Sequence, residues 1–328
     1  MLAALLALLV TLPATVWAVG LVLGWLRKKQ ILDHPNERSS HSQPTPRGGG
    51  LAVTPVVLAV WLGLVAIGAA LPGSLMAILG AGLLLALSWL DDRRGGLPAR
   101  LRLAVHLLAC GLALTALPDT VLVFNGALPL WADRAIALLA WVWFVNLTNF
   151  MDGIDGITGV QTACVGLGLA LLGATTGAAP QALVLAAAAA GFLFWNWHPA
   201  KLFLGDSGSV PLGFLTGWLL IDLAGHGHLA AALILPLYYL ADASLTLGRR
   251  LLRGEKVWQA HRQHFYQQAV RGGASHGQVA RLILIADLGL VVLAVLSMAA
   301  PLPALVLAAL VVAALLVKLR SLGSEALA

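Results

Sequence analysis

Residues 133–156 read DRAIALLAWVWFVNLTNFMDGIDG. An apolar span over about 133–149 ends in Asn149-Phe150-Met151-Asp152-Gly153-Ile154-Asp155-Gly156, which places three oxygen-bearing side chains within seven residues. A run of that kind predicts a helix that crosses a bilayer and delivers a polar cluster to one membrane face. A plain Asp-Gly turn between helices would need neither the second Asp-Gly nor the asparagine at that spacing.

Working outward, apolar runs near the length needed to cross ~30 Å of hydrocarbon recur along the whole chain. Eleven are expected: about 2–26, 51–70, 72–90, 101–118, 133–149, 157–177, 179–197, 209–225, 229–247, 282–300 and 301–317. The first has no basic residue ahead of it and is too long for a cleaved signal peptide, so it reads as a retained helix. Eleven spans put loops 27–50, 91–100, 198–208 and 248–281 and the tail from Lys318 on one side. Counting Arg102 with the second loop, these hold 19 of the 20 Lys and Arg; Arg134 falls opposite. The positive-inside rule makes the basic side cytoplasmic and the N-terminus external. The fold expected is all-α and polytopic, one membrane-embedded domain over 1–328.

Composition agrees. Of 328 residues, 60% are hydrophobic and 10% charged, against about 25% charged in a soluble domain. A soluble chain of this size could not cover its surface with so few charges. The net charge of +6 is accounted for by orientation in the membrane, so no nucleic-acid partner is expected. Cys110 and Cys164 sit in apolar runs without metal spacing and read as small core residues. The eleven Trp mostly fit interfacial anchoring, as with Trp195 and Trp197.

Polar residues gather in the basic-side loops. Asp33-His34-Pro35-Asn36-Glu37-Arg38 and Pro44-Thr45-Pro46-Arg47-Gly48-Gly49-Gly50 follow the first span, and Asp91-Asp92-Arg93-Arg94 closes the third. Adjacent carboxylates at a helix end are either a solvated terminus balanced by arginines or oxygen ligands and a base beside a hard cation. Lys201-Leu202-Phe203-Leu204-Gly205-Asp206-Ser207-Gly208-Ser209 leads into another helix. Ser207 or Ser209 is expected to cap it; a cation, an aromatic and an acid before a helix start also suit a nucleoside diphosphate with a metal. In the 248–281 loop, Arg249, Arg250 and Arg253 fit a topology anchor or anionic lipid. His261 and His264, three apart, can share a helical face and bind phosphate or sugar oxygens. Pro236 is placed to break the ninth span, and Asp242 beyond it to shape the site.

This ordered set resembles the polyprenyl-phosphate N-acetylhexosamine-1-phosphate transferases (glycosyltransferase family 4), from Asp33 to about Gln267. The resemblance implies that a UDP-linked N-acetylhexosamine gives its sugar 1-phosphate to polyprenyl (undecaprenyl) phosphate and releases UMP, with Mg²⁺, or Mn²⁺ in its place. It implies metal ligation by Asn149 and Asp206, a base for the lipid phosphate in Asp91 with Asp92 beside it, and a nucleotide-sugar site lined by Asp152 and Asp155. Phe203 would stack on uracil, and His261 and His264 would contact phosphates or sugar. Arg47, Lys201, Ser207 and Arg262 complete the expected substrate contacts. The chain would lie in a bacterial inner membrane with its site facing the cytoplasm, and a homodimer is compatible with this. The late loop reads His261-Arg262-Gln263-His264, without the consecutive histidines of the phospho-N-acetylmuramoyl-pentapeptide transferases. That favours the branch initiating O-antigen or another surface polysaccharide, with the pentapeptide transferase as the alternative. A secondary transporter, the rival class, would place its charges near the midplane of broken helices and not at helix ends on one face.

Overall fold

The computed structural model describes residues 2–35, 40, 43–94, 96–174, 176–257, 259 and 261–324; the expected loop residues Asn36, Glu37 and Arg38 lie outside them. Apolar runs become helices because in hydrocarbon every backbone N–H and C=O must be satisfied within its own segment. The helices are α1 (Leu2–Lys28), α2 (Gly50–Ala66), α3 (Ser74–Arg94), α4 (Ala99–Leu114), α5 (Leu130–Phe150), α6 (Ile157–Leu172) and α7 (Ala179–Asn196). They continue as α8 (Asp206–Leu223), α9 (Leu229–Ile234), α10 (Leu237–Leu252), α11 (Phe265–Arg271), α12 (His276–Leu296) and α13 (Pro301–Ser324). Among the described residues, seven stretches are long and apolar enough to cross a membrane: Leu2–Lys28, Ser74–Arg94, Leu130–Phe150, Ala179–Asn196, Asp206–Ile234, His276–Leu296 and Pro301–Gly323. The chain is a multi-pass membrane protein. Its outer surface carries the apolar side chains a bilayer would cover, among them Leu79, Leu139, Ile285 and Val317.

A helix stands at each of the eleven expected spans, but α2, α4, α6 and α10 have only 16 or 17 residues, short of the ~20 that span a bilayer upright. The ninth span divides between α9 and α10, where Pro236 cannot donate a helical hydrogen bond. Between α8 and α9 the chain kinks through non-helical His226 and Gly227.

Helix α8 is the axis of the bundle, buried at every residue from Ser207 to Leu223 and packed against α3, α5, α2 and α6. Helix α7 lies between α1 and α6. Small residues allow the closest approaches: a Cβ on Gly50 would fall 2.0 Å from the Gly208 amide nitrogen, so α2 and α8 meet backbone to backbone. Trp61, Trp141 and Trp218 are fully buried, a correction to interfacial anchoring for these three. The indoles of Trp61 and Trp141 can sit in the core because each N–H reaches a carbonyl, that of Gln181 at 3.2 Å and of Phe214 at 3.0 Å.

The single two-stranded ladder among the described residues belongs to the loop after α1. Strands β1 (Leu32–Asp33) and β2 (Thr45–Pro46) pair antiparallel, Leu32 with Pro46 and Asp33 with Thr45. The segment beyond β2 is stitched to the start of α8: Gly48 and Gly49 N–H donate to the Phe203 carbonyl, and Gly50 N–H to that of Leu204.

Candidate active site

At the end of the bundle where α3, α5 and α7 finish and α2, α6, α8 and α12 begin, the loops enclose a cleft of about 340 Å³. Asp33 and Arg47 enter from the first loop, Asn149, Asp152 and Asp155 from the α5–α6 turn, Phe203 and Asp206 from the entrance to α8, and Gln267 and His276 from the last loop. Four carboxylates and one guanidinium line the wall, so an anionic substrate needs added positive charge to enter.

Helix α8 starts two residues earlier than a cap at Ser207 would require. Gly205 is its cap, at φ +74°, a conformation open to glycine, and Asp206 occupies the first turn. The expected serine caps are thereby corrected: Ser207 is fully buried inside α8, and Ser209 Oγ donates to Asn149 Oδ1 at 2.8 Å. Asp206 sits among polar side chains from three other elements. Arg47 Nη2 is 2.6 Å from its Oδ1, Asn149 Nδ2 is 3.5 Å from its Oδ2, and Arg102 Nη1 stands 3.9 Å away. Arg47 also reaches Asp92 at 3.4 Å. An all-oxygen set at Asp206, Asn149 and Asp92 matches the chemistry of a hard divalent cation such as Mg²⁺.

The two adjacent aspartates differ. Asp91 is buried, taking the Leu97 N–H on one oxygen and lying 3.3 Å from Arg102 through the other. Asp92 is the member of the pair that faces Arg47.

Asp152 accepts from Thr158 at 2.7 Å, and Thr158 contacts the Tyr239 hydroxyl at 3.2 Å. Burial pushes the Asp152 carboxyl up to about 6, with Thr158 and Arg47 opposing. Asp155 goes the other way. Its burial alone would raise it, but hydrogen bonds from His276 and His198 hold it below the ordinary carboxylate value. His198 Nδ1 is 2.7 Å from one oxygen, which also takes the Ala200 N–H at 3.2 Å; His276 Nδ1 is 3.1 Å from the other. His276 Nε2 reaches the Ser40 carbonyl at 2.9 Å, tying the first loop over the cleft. The ligand atoms of Asp155, His198 and His276 lie within 4.8 Å of one another; imidazoles of that kind suit a borderline ion such as Zn²⁺ better than Mg²⁺.

Seven expected residues stand off the wall: Asp91 and Asp92, the latter on a neighbouring hollow with Arg47, and five more. Lys201 is exposed over the Trp195 ring at 5.4 Å, and Ser207 faces the core. His264 is 2% exposed. Its Nδ1 is 3.1 Å from Asp242, a fully buried carboxylate that also accepts from Tyr238, Thr246 and the Phe265 and Tyr266 amides. His261 lies against His264, ring centroids 4.8 Å apart; burial, His264 and Arg250 push it down to about 4, which leaves it neutral. Arg262 lines a separate hollow. The last loop reaches the cleft through Gln267 and His276 instead. Among the residues the sequence did not single out, His198 carried one usable signal, its place beside Pro199 at a span end.

An apolar groove of about 510 Å³ runs along α5 and α10, lined by Trp143, Phe150, Leu247 and Leu251. The end of α5 serves both: Asn149 lines the cleft and Phe150, next in sequence, lines the groove.

Residues 74–224 match the family model described as Glycosyl transferase family 4, a segment running from α3 through Asp206. The chain is 31% identical over 304 residues to the decaprenyl-phosphate N-acetylglucosaminephosphotransferase of Mycolicibacterium smegmatis, covering 79% of this chain and 74% of that protein. The protein of the same name from Mycobacterium leprae is 30% identical over 308 residues, 82% of this chain and 77% of that one. A phospho-N-acetylmuramoyl-pentapeptide-transferase of a Synechococcus strain is 36% identical over 203 residues, 56% and 58% of the two chains.

Proposed function

The chain belongs to the polyprenyl-phosphate N-acetylhexosamine-1-phosphate transferases of glycosyl transferase family 4, and on that premise we propose that it moves N-acetylhexosamine 1-phosphate from a UDP-sugar to polyprenyl phosphate, with Mg²⁺ as cofactor. The observation that carries the proposal is the end of α5, which lends Asn149 to a polar cleft with Asp206, Asp152, Arg47 and Phe203 and Phe150 to an apolar groove. A water-soluble donor and a lipid acceptor need a polar and an apolar surface of this kind.

In the proposed reaction an oxygen of the lipid phosphate attacks the sugar-bearing phosphorus, the bridging P–O bond breaks and UMP leaves. Asn149 and Asp206 would hold the divalent cation, which when bound screens the diphosphate and the charge that grows on the transferring group. Asp92, more open than Asp91, would take the proton of the lipid phosphate. Arg47 orients the reacting phosphates, and Phe203 offers a face to the base. Gln267, on the cleft wall, is a candidate contact for the sugar.

The wider setting proposed is an eleven-pass topology with N-terminus outside, in a bacterial inner membrane with the cleft cytoplasmic, and a role in initiating O-antigen or another surface polysaccharide. The relatives named for N-acetylglucosamine support a simple UDP-N-acetylhexosamine as donor. The pentapeptide-transferase relative supports the alternative. Purified protein should release UMP from UDP-N-acetylglucosamine only when undecaprenyl phosphate is present, and little from UDP-N-acetylmuramoyl-pentapeptide. UMP release independent of the lipid would refute the reaction; equal rates with the two donors would refute only the branch.

A further inference from the structure

On the far side of α11 lies a second hollow, of about 420 Å³, whose lining contrasts with the cleft. Arg249 and Arg253 come from the end of α10, Arg262 from the loop, Gln268 and Arg271 from α11, and Arg320 from α13. Five guanidiniums converge there, and no carboxylate is among the described residues that line it.

Orientation in the membrane would account for five basic residues on one side of it, but not for their meeting around one cavity. The local chemistry sharpens the point. Glu255, the nearby acid, stands behind the lining: it binds Arg250 at 2.8 Å and Gln263, itself on the bowl wall, at 3.0 Å, and Arg250 is further held by the Lys256 and Gln259 carbonyls. Arg249 is steadied over the Phe265 ring at 4.9 Å. Arg249, Arg253 and Arg271 bring like charge to one hollow, and an anion inside it relieves their repulsion. The planar fork of arginine matches the oxygens of a phosphate.

Position selects the source of that phosphate. On the same turn of α10, Leu251 and Leu252 are 66% and 89% exposed, side chains whose place is hydrocarbon. The rim of the hollow therefore lies at the level of lipid headgroups. We propose that this arginine bowl is a second anion site, distinct from the cleft, which binds the phosphate of an anionic membrane lipid. It does not depend on the reaction proposed above. The two sites lie back to back across α11, where Gln267 faces the cleft and its neighbour Gln268 the bowl.

The test is thermal unfolding of the full-length protein in neutral detergent, titrated with dioleoylphosphatidylglycerol, dioleoylphosphatidylcholine or inorganic phosphate. Phosphatidylglycerol should stabilise the protein saturably and phosphatidylcholine should not. Arg253→Gln/Arg271→Gln should raise the half-saturating phosphatidylglycerol roughly 30-fold, about fivefold for each arginine. The equal charge loss in Arg27→Gln/Lys28→Gln, at the end of α1, should leave it unchanged. Should the double variant not fold, exposed Arg253→Gln alone should still raise it about fivefold. Equal phosphatidylglycerol binding by bowl and control variants would overturn the site. Equal stabilisation by inorganic phosphate would overturn its assignment to a lipid headgroup.

Discussion

Arg47 Nη2 lies 2.6 Å from Asp206 Oδ1 and also reaches Asp92, so one guanidinium bridges two carboxylates carried by α8 and α3. A divalent cation on Asp206 would compete with Arg47 for the same oxygens. Arg47→Gln should cut kcat/KM by roughly 10²–10³, the usual cost of a lost electrostatic donor, yet reach half-maximal rate at lower Mg²⁺. A higher Mg²⁺ requirement would mean that Arg47 orients Asp206 and does not compete. Asp206→Asn, or EDTA added to the unaltered protein, should abolish UMP release without unfolding.

The Asp91 and Asp92 carboxylates should separate in function. Asp92→Asn is expected to lower kcat by roughly 10²–10⁴, the range for a lost general base, with donor binding retained. Asp91→Asn disturbs a buried carboxylate that holds Leu97 and Arg102, so its main effect should be on the unfolding temperature. The reverse pattern would return the base to Asp91.

Asp155 gives a pH signature. Its folded pKa is depressed by His276 and His198, so the stability it contributes is complete above the unfolded carboxylate value of about 3.9 and is lost as pH falls through the lower folded value. Asp155→Asn should unfold at a lower temperature than the unaltered protein at neutral pH. The gap should close on acidification below about pH 4. A gap that does not change with pH would show that the charge on Asp155 is immaterial to the triad.

Asp242 tests how His264 is held. Five donors converge on this fully buried carboxylate, and Asp242→Ala would strand them. Thermal or denaturant unfolding should record a loss of roughly 3–5 kcal/mol, as when one partner of a buried pair is removed. Asp242→Asn keeps the shape and should cost less. Equal stability of both variants with the unaltered protein would rule out this role.

Much of this was readable from the chain alone, for a physical reason. Runs such as 133–149 must be helical in hydrocarbon, and charged residues can end a helix at the membrane surface but seldom sit within it. Asp92, Asn149, Asp152 and Asp206 therefore had to share one face. What stayed hidden depends on pairing across distance. His198 and His276 are single polar residues in their own segments and become a triad only when α7 and α12 bring them to Asp155. Asp242 meets His264 across 22 residues, and that contact turns His264 away from the cleft. Trp61 and Trp141 looked interfacial because the carbonyls that satisfy them belong to other helices.

The seam at Gly50 and Gly208 bears on how such a protein could work through repeated cycles. Where two backbones touch, no layer of side chains remains to compress or slide, so the wall bearing Asp206 behaves as an anvil. On the proposed reaction, any widening that admits a bulky tail or lets a spent nucleotide escape would fall to the opposite side, where seven-residue α11 lines the cleft through Gln267 and the end of α10 lines the apolar groove. The fixed half would then keep its register from one turnover to the next while the other half gives way.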